Sequence, residues 1–170
     1  MRAVIAFTLR NWLAIAFAAS VGMLAIAHAF ETFGGLAPCT LCYYQRDIYW
    51  TAAPIALLGL ILTRTPAARL TPIVGVLLAL TFLAGCGVAI YHAGAEWKFW
   101  PGPKTCSGGS GHATAAGLAA LMNGVKIAAP HCDEAAWRFL GLSMAGWNAL
   151  ISLKLALWSG AWAAWRPSHD

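Results

Sequence analysis

The sequence predicts an all-α integral membrane protein, a bundle of four transmembrane helices with two loops on the extracytoplasmic side. Of its 170 residues, 60% are hydrophobic and only 10% are charged, whereas an ordinary soluble domain is about 25% charged. The hydrophobic residues fall into four runs, each near the roughly 20 residues that a helix needs to cross a hydrocarbon core. Because backbone polar groups in lipid need internal partners, we expect these runs to be helical. The length allows a single domain.

The predicted spans cover residues 12–30, 43–62, 70–91 and 139–162. The first and third carry no charge, the second has Arg46 and Asp47 near its start, and the fourth contains Lys154. Arg2 and Arg10 ahead of the first run are typical of a secretory signal. That run is longer than the usual apolar region of a signal, about 7–15 residues, so we expect an uncleaved span.

Four spans place both termini on one side of the membrane and leave two loops, residues 31–42 and 92–138, on the other. Residues 31–38 contain no Lys or Arg, and the basic residues of the long loop are spread out. The positive-inside rule therefore predicts cytoplasmic termini. The net charge of +5 comes from scattered side chains, with none of the basic stripes that bind nucleic acid. We expect the lipid bilayer, and no nucleic acid, to be the partner of these charges.

Four of the five cysteines fall in the two loops on the same predicted side. Cys39 and Cys42 lie where the first loop meets the second span, and Cys106 and Cys132 lie in the long loop. Cys86 is inside the third span, where a lone thiol usually packs as a small hydrophobe. If the loop side is extracytoplasmic, the four loop cysteines are in a compartment where disulfides persist.

The segment Pro38-Cys39-Thr40-Leu41-Cys42 predicts a helix that starts just after Pro38, with both thiols at its first turn. The free N–H groups and the positive dipole end of a helix N-terminus lower the pKa of a thiol. Arg46 lies one turn beyond Cys42 on the same face. An arginine at the membrane edge is costly without a partner, which here could be a thiolate, a reduced quinone oxygen or a lipid phosphate.

A CxxC pair is also compatible with a structural disulfide or with half of a zinc site. Zinc would use the four loop cysteines, with His131 able to replace one of them. A redox function explains more of the pattern, because two cysteine pairs can pass oxidation between them through mixed disulfides. The chain has no GxGxxG fingerprint for a flavin or nicotinamide cofactor. We therefore expect a quinone dissolved in the membrane to be the final acceptor, and no metal.

PCTLCYYQR at residues 38–46, followed by a cysteine pair in the long loop of a four-helix protein, resembles the disulfide bond formation protein B (DsbB) family. Tyr91-His92 ahead of Cys106, and WRFLGLSM at residues 137–144 after Cys132, extend the similarity. The resemblance covers all four predicted spans and both loops.

The resemblance implies a multi-pass thiol–quinone oxidoreductase of the bacterial inner membrane. Such a protein reoxidises a soluble periplasmic thioredoxin-like oxidase of the DsbA type and passes the electrons to ubiquinone or menaquinone. The resemblance also implies two redox-active disulfides, Cys39–Cys42 and Cys106–Cys132. The partner would attack Cys106, and the released Cys132 would attack Cys39 and free Cys42 beside the quinone.

The same resemblance assigns quinone binding to Arg46 and Cys42, with His92 and Met144 as further contacts. Three alternatives remain at this point. One is an enzyme similar to vitamin K epoxide reductase, although its CxxC belongs near the last helix. Another is a haem-binding anchor that uses His28 and His92. The last is a non-enzymatic four-helix membrane protein pinned by disulfides.

Overall fold

The computed structural model describes residues 2–103, 122 and 132–165, and most of these residues are helical. The helices are α1 (Arg2–Arg10), α2 (Trp12–Thr32), α3 (Thr40–Leu62), α4 (Thr71–Glu96) and α5 (Met144–Ala164). A short 3₁₀ helix, Pro66–Leu70, links α3 to α4, and two short strands, β1 (Arg138–Phe139) and β2 (Leu142–Ser143), form an antiparallel hairpin before α5.

Each predicted run overlaps one of the four long helices, α2 to α5, although their ends differ. The helix α3 begins at Thr40, ahead of the predicted run, and α4 continues through residue 92 to Glu96. Within the described part of the chain, Trp12–Thr32 and Pro66–Glu96 are long and apolar enough to cross a membrane. The structure thus agrees with a helical membrane protein, and the number of spans stays a prediction.

Glycines allow close packing between the long helices. The most extensive contact is between α4 and α5, and α3 packs against both α2 and α4. A Cβ added at Gly75 of α4 would lie 2.8 Å from the Cβ of Ala163, and one at Gly85 would lie 2.8 Å from Cγ2 of Ile48. Small residues favour such contacts between membrane helices, because lipid is as apolar as the side chains and close van der Waals packing drives association.

One end of the bundle is fixed by tryptophan contacts between the start of α2 and the end of α5. The indole Nε1 of Trp12 donates to Oγ of Ser159 at 3.1 Å, and the ring stacks on Trp158 with centroids 5.9 Å apart. The fully buried side chains of Leu78 and Phe82 on α4 fill the core beyond this point. At the opposite end of the bundle, the ends of α2 and α4 meet the beginnings of α3 and α5.

The hairpin explains why α5 begins later than the predicted run. Leu140 and Gly141 have φ angles of 50° and 82°, the positive values that a two-residue type I′ hairpin turn requires. Ser143 then caps α5, because its Oγ accepts a hydrogen bond from the backbone N–H of Gly146 at 3.1 Å. The indole of Trp147 donates to the carbonyl of Phe139 at 3.0 Å and ties the hairpin to α5.

Candidate active site at the start of α3

Cys39 and Cys42 lie together at the N-terminus of α3. Cys39 is the N-cap residue with an extended backbone, φ −82° and ψ 173°, and its Sγ accepts a hydrogen bond from the backbone N–H of Cys42 at 3.3 Å. The two sulfur atoms are 3.0 Å apart, and both residues are free thiols. The structure therefore describes the reduced form of the pair, and the Cys39–Cys42 disulfide stays a prediction.

The two thiols differ in their tendency to ionise. The hydrogen bond from the Cys39 thiol lowers the pKa of Cys42, and so does the positive charge of Arg46, although burial acts in the opposite direction. The interaction with Cys42 and burial raise the pKa of Cys39. Cys42 directly precedes the predicted span 43–62. Cys42 is thus the sulfur of the pair that carries negative charge most readily.

Cys132 reaches the same place from the end of the long loop. It is only 1% exposed and packs against Cys39. Cys132 is disulfide-bonded, whereas Cys39, Cys42 and Cys86 are free thiols. Cys106 lies outside the described residues, so the predicted Cys106–Cys132 disulfide and the role of Cys106 stay predictions.

Cys39 is close to both other sulfurs of the site. Its Sγ, the Sγ of Cys132 and a ring nitrogen of His92 all lie within 4.8 Å of one another. Three such groups can bind a metal ion, but a cysteine held in a disulfide has no thiolate to offer as a ligand. Because Cys42 and Cys132 both lie near its sulfur, Cys39 has the neighbours that thiol–disulfide exchange needs.

Arg46 has a carboxylate partner that the sequence analysis missed. Its Nη1 donates to Oε2 of Glu31 at 2.5 Å, and its Nη2 donates to the carbonyl of Ala27 at 3.1 Å. The guanidinium also lies 5.6 Å from the ring centroid of Tyr43, within the range of a cation–π interaction. These contacts attach the first turns of α3 to the end of α2 and fix the direction of the guanidinium.

A largely apolar cavity adjoins Cys42, with an empty volume of about 770 Å³ that is partly open to the surroundings. All four residues that the resemblance assigns to quinone binding line it: Cys42, Arg46, His92 and Met144. Its apolar walls include Met23, Ile26, Phe30, Leu36, Pro38 and Ala145. Apolar walls with a few polar groups are typical of a site for a small, largely apolar ligand.

Buried polar side chains form the remaining wall of the cavity. Gln45 Nε2 lies 2.8 Å from Nδ1 of His92, and Oε1 of Gln45 accepts from Nδ2 of Asn148 at 2.5 Å. The hydroxyl of Tyr49 donates to Oδ1 of Asn148 and lies 3.1 Å from Oγ of Ser152. All five side chains are buried, and this polar chain links α3, α4 and α5 at the site.

Comparison with known families identifies the protein class. Residues 9–162 match the family described as DsbB, disulfide bond formation protein DsbB. The chain belongs to the DsbB family. It is 32% identical to disulfide bond formation protein B of Pasteurella multocida over 147 residues, which is 83% of this chain and 80% of the relative. The identity is 31% over 150 residues with the Xanthomonas euvesicatoria protein (85% and 84%) and 30% over 149 residues with that of Dechloromonas aromatica (84% of each).

Membership of the DsbB family confirms the resemblance predicted from PCTLCYYQR and its loop cysteines. The protein is accordingly a helical membrane protein of disulfide bond formation. The match covers most of the chain, so it decides against the alternative enzyme similar to vitamin K epoxide reductase.

The residues that the sequence analysis missed in this DsbB family member did leave a signal. Gln45 and Tyr49 on α3, like Asn148 and Ser152 on α5, are polar residues four positions apart within apolar helices. That spacing puts each pair on one helix face. Glu31 is the only acidic residue of α2, and a lone carboxylate at the end of an apolar helix is also a signal for a partner.

Proposed function

We propose that this protein reoxidises a soluble periplasmic thioredoxin-like oxidase of the DsbA type and passes the electrons to ubiquinone or menaquinone. The proposal places the chain in the bacterial inner membrane, with four spans, cytoplasmic termini and both cysteine-bearing loops in the periplasm. It makes the protein a thiol:quinone oxidoreductase whose catalytic cysteines are Cys39, Cys42, Cys106 and Cys132.

One observation carries the proposal: the sulfur of Cys39 lies 3.0 Å from that of Cys42 and within 4.8 Å of that of Cys132. The closeness of Cys39 to both other sulfurs supports transfer of a disulfide from the pair that contains Cys42 to the pair that contains Cys132. Cys42 also lines the apolar cavity. Cys132 belongs to the long loop, which a soluble partner would approach.

In the proposed relay, the thiolate of the reduced partner attacks Cys106 and releases Cys132 as a thiolate. Cys132 attacks the sulfur of Cys39, so that a Cys132–Cys39 bond forms, the Cys39–Cys42 bond breaks, and Cys42 retains the electron pair. The N-terminal N–H groups of α3 and the charge of Arg46 stabilise the Cys42 thiolate. The partner's second thiolate then attacks its own sulfur in the mixed disulfide, which forms the partner's disulfide and releases Cys106 as a thiolate. Cys106 attacks Cys132, so that the Cys106–Cys132 bond re-forms, the Cys39–Cys132 bond breaks, and Cys39 and Cys42 are left reduced. Overall, two thiols of the partner become one disulfide, and two electrons and two protons are left on the Cys39–Cys42 pair for the acceptor.

Arg46, His92 and Met144 would hold a quinone in the cavity beside Cys42. Once bound, a quinone would supply the two-electron oxidising capacity and take up both protons. Arg46 lines the cavity, and its guanidinium could donate to a carbonyl oxygen there. A DsbA-type oxidase has a reduction potential of about −120 mV, so only a strong acceptor can keep reoxidising it.

Quinone reduction by the purified full-length protein tests this function. The protein is mixed with a reduced DsbA-type oxidase and with ubiquinone-1 or a menaquinone analogue, and quinone loss is followed by absorbance. We expect turnover in the wild type, its loss in Cys42→Ser and Cys106→Ser, and its retention in Cys86→Ala. Cys86 is the matched control, since it is a buried cysteine of α4 and is not one of the three neighbouring cysteines Cys39, Cys42 and Cys132.

Two results would contradict the proposal. One is turnover that persists in Cys42→Ser. The other is no turnover with any partner or quinone while all four loop cysteines remain disulfide-bonded, which would favour a structural role for the disulfides.

A further inference from the structure

His92 lies at the point where the two cysteine pairs meet. Its Nε2 is 3.6 Å from Sγ of Cys39, and its ring is within 4.8 Å of Sγ of Cys132. The carboxyl oxygen Oε1 of Glu96, one turn further along α4, lies 3.7 Å from the same nitrogen. A single imidazole edge therefore faces the two sulfurs between which the proposed relay must form a bond.

The buried polar chain determines which ring nitrogen of His92 carries the proton. Oε1 of Gln45 is occupied as the acceptor from Asn148, so the amide group facing Nδ1 of His92 is the Nε2 donor of Gln45. A neutral imidazole has one N–H and one acceptor nitrogen. Nδ1 is then the acceptor, and the proton lies on Nε2, the nitrogen that faces the sulfurs.

The rest of the chain supports this direction. Tyr49 donates to Oδ1 of Asn148, which leaves the Asn148 amide nitrogen to donate to Gln45. Ser152 is within hydrogen-bond distance of the Tyr49 oxygen, 3.1 Å away, and is fully buried. Each side chain of this polar chain can thus donate a hydrogen bond to the next one, and the last donor faces His92. Buried polar side chains are costly unless they form hydrogen bonds. In this chain the hydrogen bonds also hold the imidazole of His92 in one tautomer.

We propose that His92 is a catalytic residue of the exchange between Cys132 and Cys39, and that Gln45, Asn148 and Tyr49 position its Nε2–H toward these sulfurs. This inference rests on the proposed relay and assigns His92 a function in sulfur exchange besides its place in the cavity wall.

The exchange begins with a negative charge on the buried sulfur of Cys132. Cys132 is 1% exposed, so a thiolate released there is costly unless a donor stabilises it. The Nε2–H of His92 supplies that donor and orients the thiolate toward Cys39. As the Cys132–Cys39 bond forms and the Cys39–Cys42 bond breaks, the electron pair passes to Cys42, where α3 and Arg46 take over its stabilisation. No proton moves in this step.

A single-turnover experiment without quinone tests the catalytic role. Quinone-depleted, fully oxidised protein is mixed with a reduced DsbA-type oxidase, quenched with acid, alkylated, and analysed by mass spectrometry for the Cys39–Cys132 disulfide. Since hydrogen bonds to charged groups are the strong ones, we expect His92→Leu to slow its formation about tenfold or more. His92→Gln, whose amide N–H can reach the position of Nε2, should retain part of the rate. His28→Gln, at an exposed histidine of α2, should match the wild type.

The tautomer is tested independently by ¹⁵N NMR of the imidazole nitrogens in the full-length protein. We expect the wild type to show the neutral Nε2–H form. Gln45→Leu should no longer favour this tautomer and should form the Cys39–Cys132 disulfide more slowly. An Nδ1–H form in the wild type would overturn the assignment, and so would wild-type exchange in His92→Leu. Failure of the wild type itself to form the Cys39–Cys132 bond would instead refute the relay.

Discussion

Replacing Glu31 with alanine is expected to destabilise the protein by about 2 kcal/mol, because it leaves the Arg46 guanidinium without its counter-charge. Removing one partner of a buried ion pair costs about 3–5 kcal/mol, whereas an exposed pair contributes about 0.2–1 kcal/mol. The side chain of Arg46 is 12% exposed and that of Glu31 is 26% exposed. The pair therefore lies between the two limits. Among the residues that the structure describes, Arg46 would retain the carbonyl of Ala27 as its hydrogen-bond acceptor.

Thermal unfolding of the purified protein in detergent measures this effect. In a chain of this size, 1 kcal/mol shifts Tm by about 2–4 °C, so Glu31→Ala should lower Tm by about 4–8 °C. Glu31→Gln should lower it less, because the amide oxygen still accepts from the guanidinium but carries no charge. Asp47→Ala is the control, since Asp47 is exposed on α3 beside Arg46 and its removal changes the net charge by the same amount.

A double-mutant cycle with Arg46→Met separates the ion pair from other effects of the two substitutions. If the pair is the cause, Glu31→Ala should have little further effect once Arg46 is replaced. A Tm loss in Glu31→Ala no larger than that in Asp47→Ala would refute a stabilising ion pair, and so would additive effects of Glu31→Ala and Arg46→Met.

Three further predictions concern the proposed function. Arg46→Met should raise the KM for quinone more than the KM for the partner oxidase, and an unchanged apparent quinone affinity in steady-state kinetics would count against a quinone contact. Because the pKa of Cys42 lies below the ordinary thiol value of 9.0, its thiolate should persist as the pH falls below 9 and disappear only when the pH passes through that lower pKa. Alkylation rates across a pH series would show this, and a midpoint at or above 9.0 would refute it. For topology, Phe33→Cys in intact spheroplasts should react with a membrane-impermeant maleimide and Thr65→Cys should not; the reverse pattern would invert the proposed orientation.

The local chemistry of the site could be predicted because it depends on residues close together in the sequence. Pro38 favours a helix that starts just after it, and a spacing of three residues puts Cys39 and Cys42 at the helix start, where Cys39 is the N-cap and Cys42 is in the first turn. Arg46 follows one turn later on the same helix. The long helices could be predicted as well, since a hydrophobic stretch of about 20 residues is long enough to cross a membrane as a helix.

Contacts between distant segments could not be predicted in this way. Glu31 meets Arg46 only because the end of α2 packs beside the start of α3. Residues 139–143 read as part of an apolar run, yet the positive φ angles of Leu140 and Gly141 turn them into a hairpin that begins at Arg138. Hydropathy also ended the third run at residue 91, whereas helical hydrogen bonds carry α4 on to Glu96 and so place His92 on a rigid element.

Polar residues inside apolar helices are a local sequence feature that also predicts contacts between distant segments. Tyr49 and Gln45 form one buried stripe on α3, and Asn148 and Ser152 form another on α5; each stripe would be costly if it faced lipid. The spacing of four therefore predicts that each stripe faces the bundle interior, and a shared partner would satisfy both. What spacing does not give is the group at the end of the joined stripes. In the folded protein that group is His92, and its other ring edge faces Cys39. A polar chain that reaches a reactive sulfur through one imidazole does more than satisfy buried hydrogen bonds, because it also fixes where the imidazole proton lies.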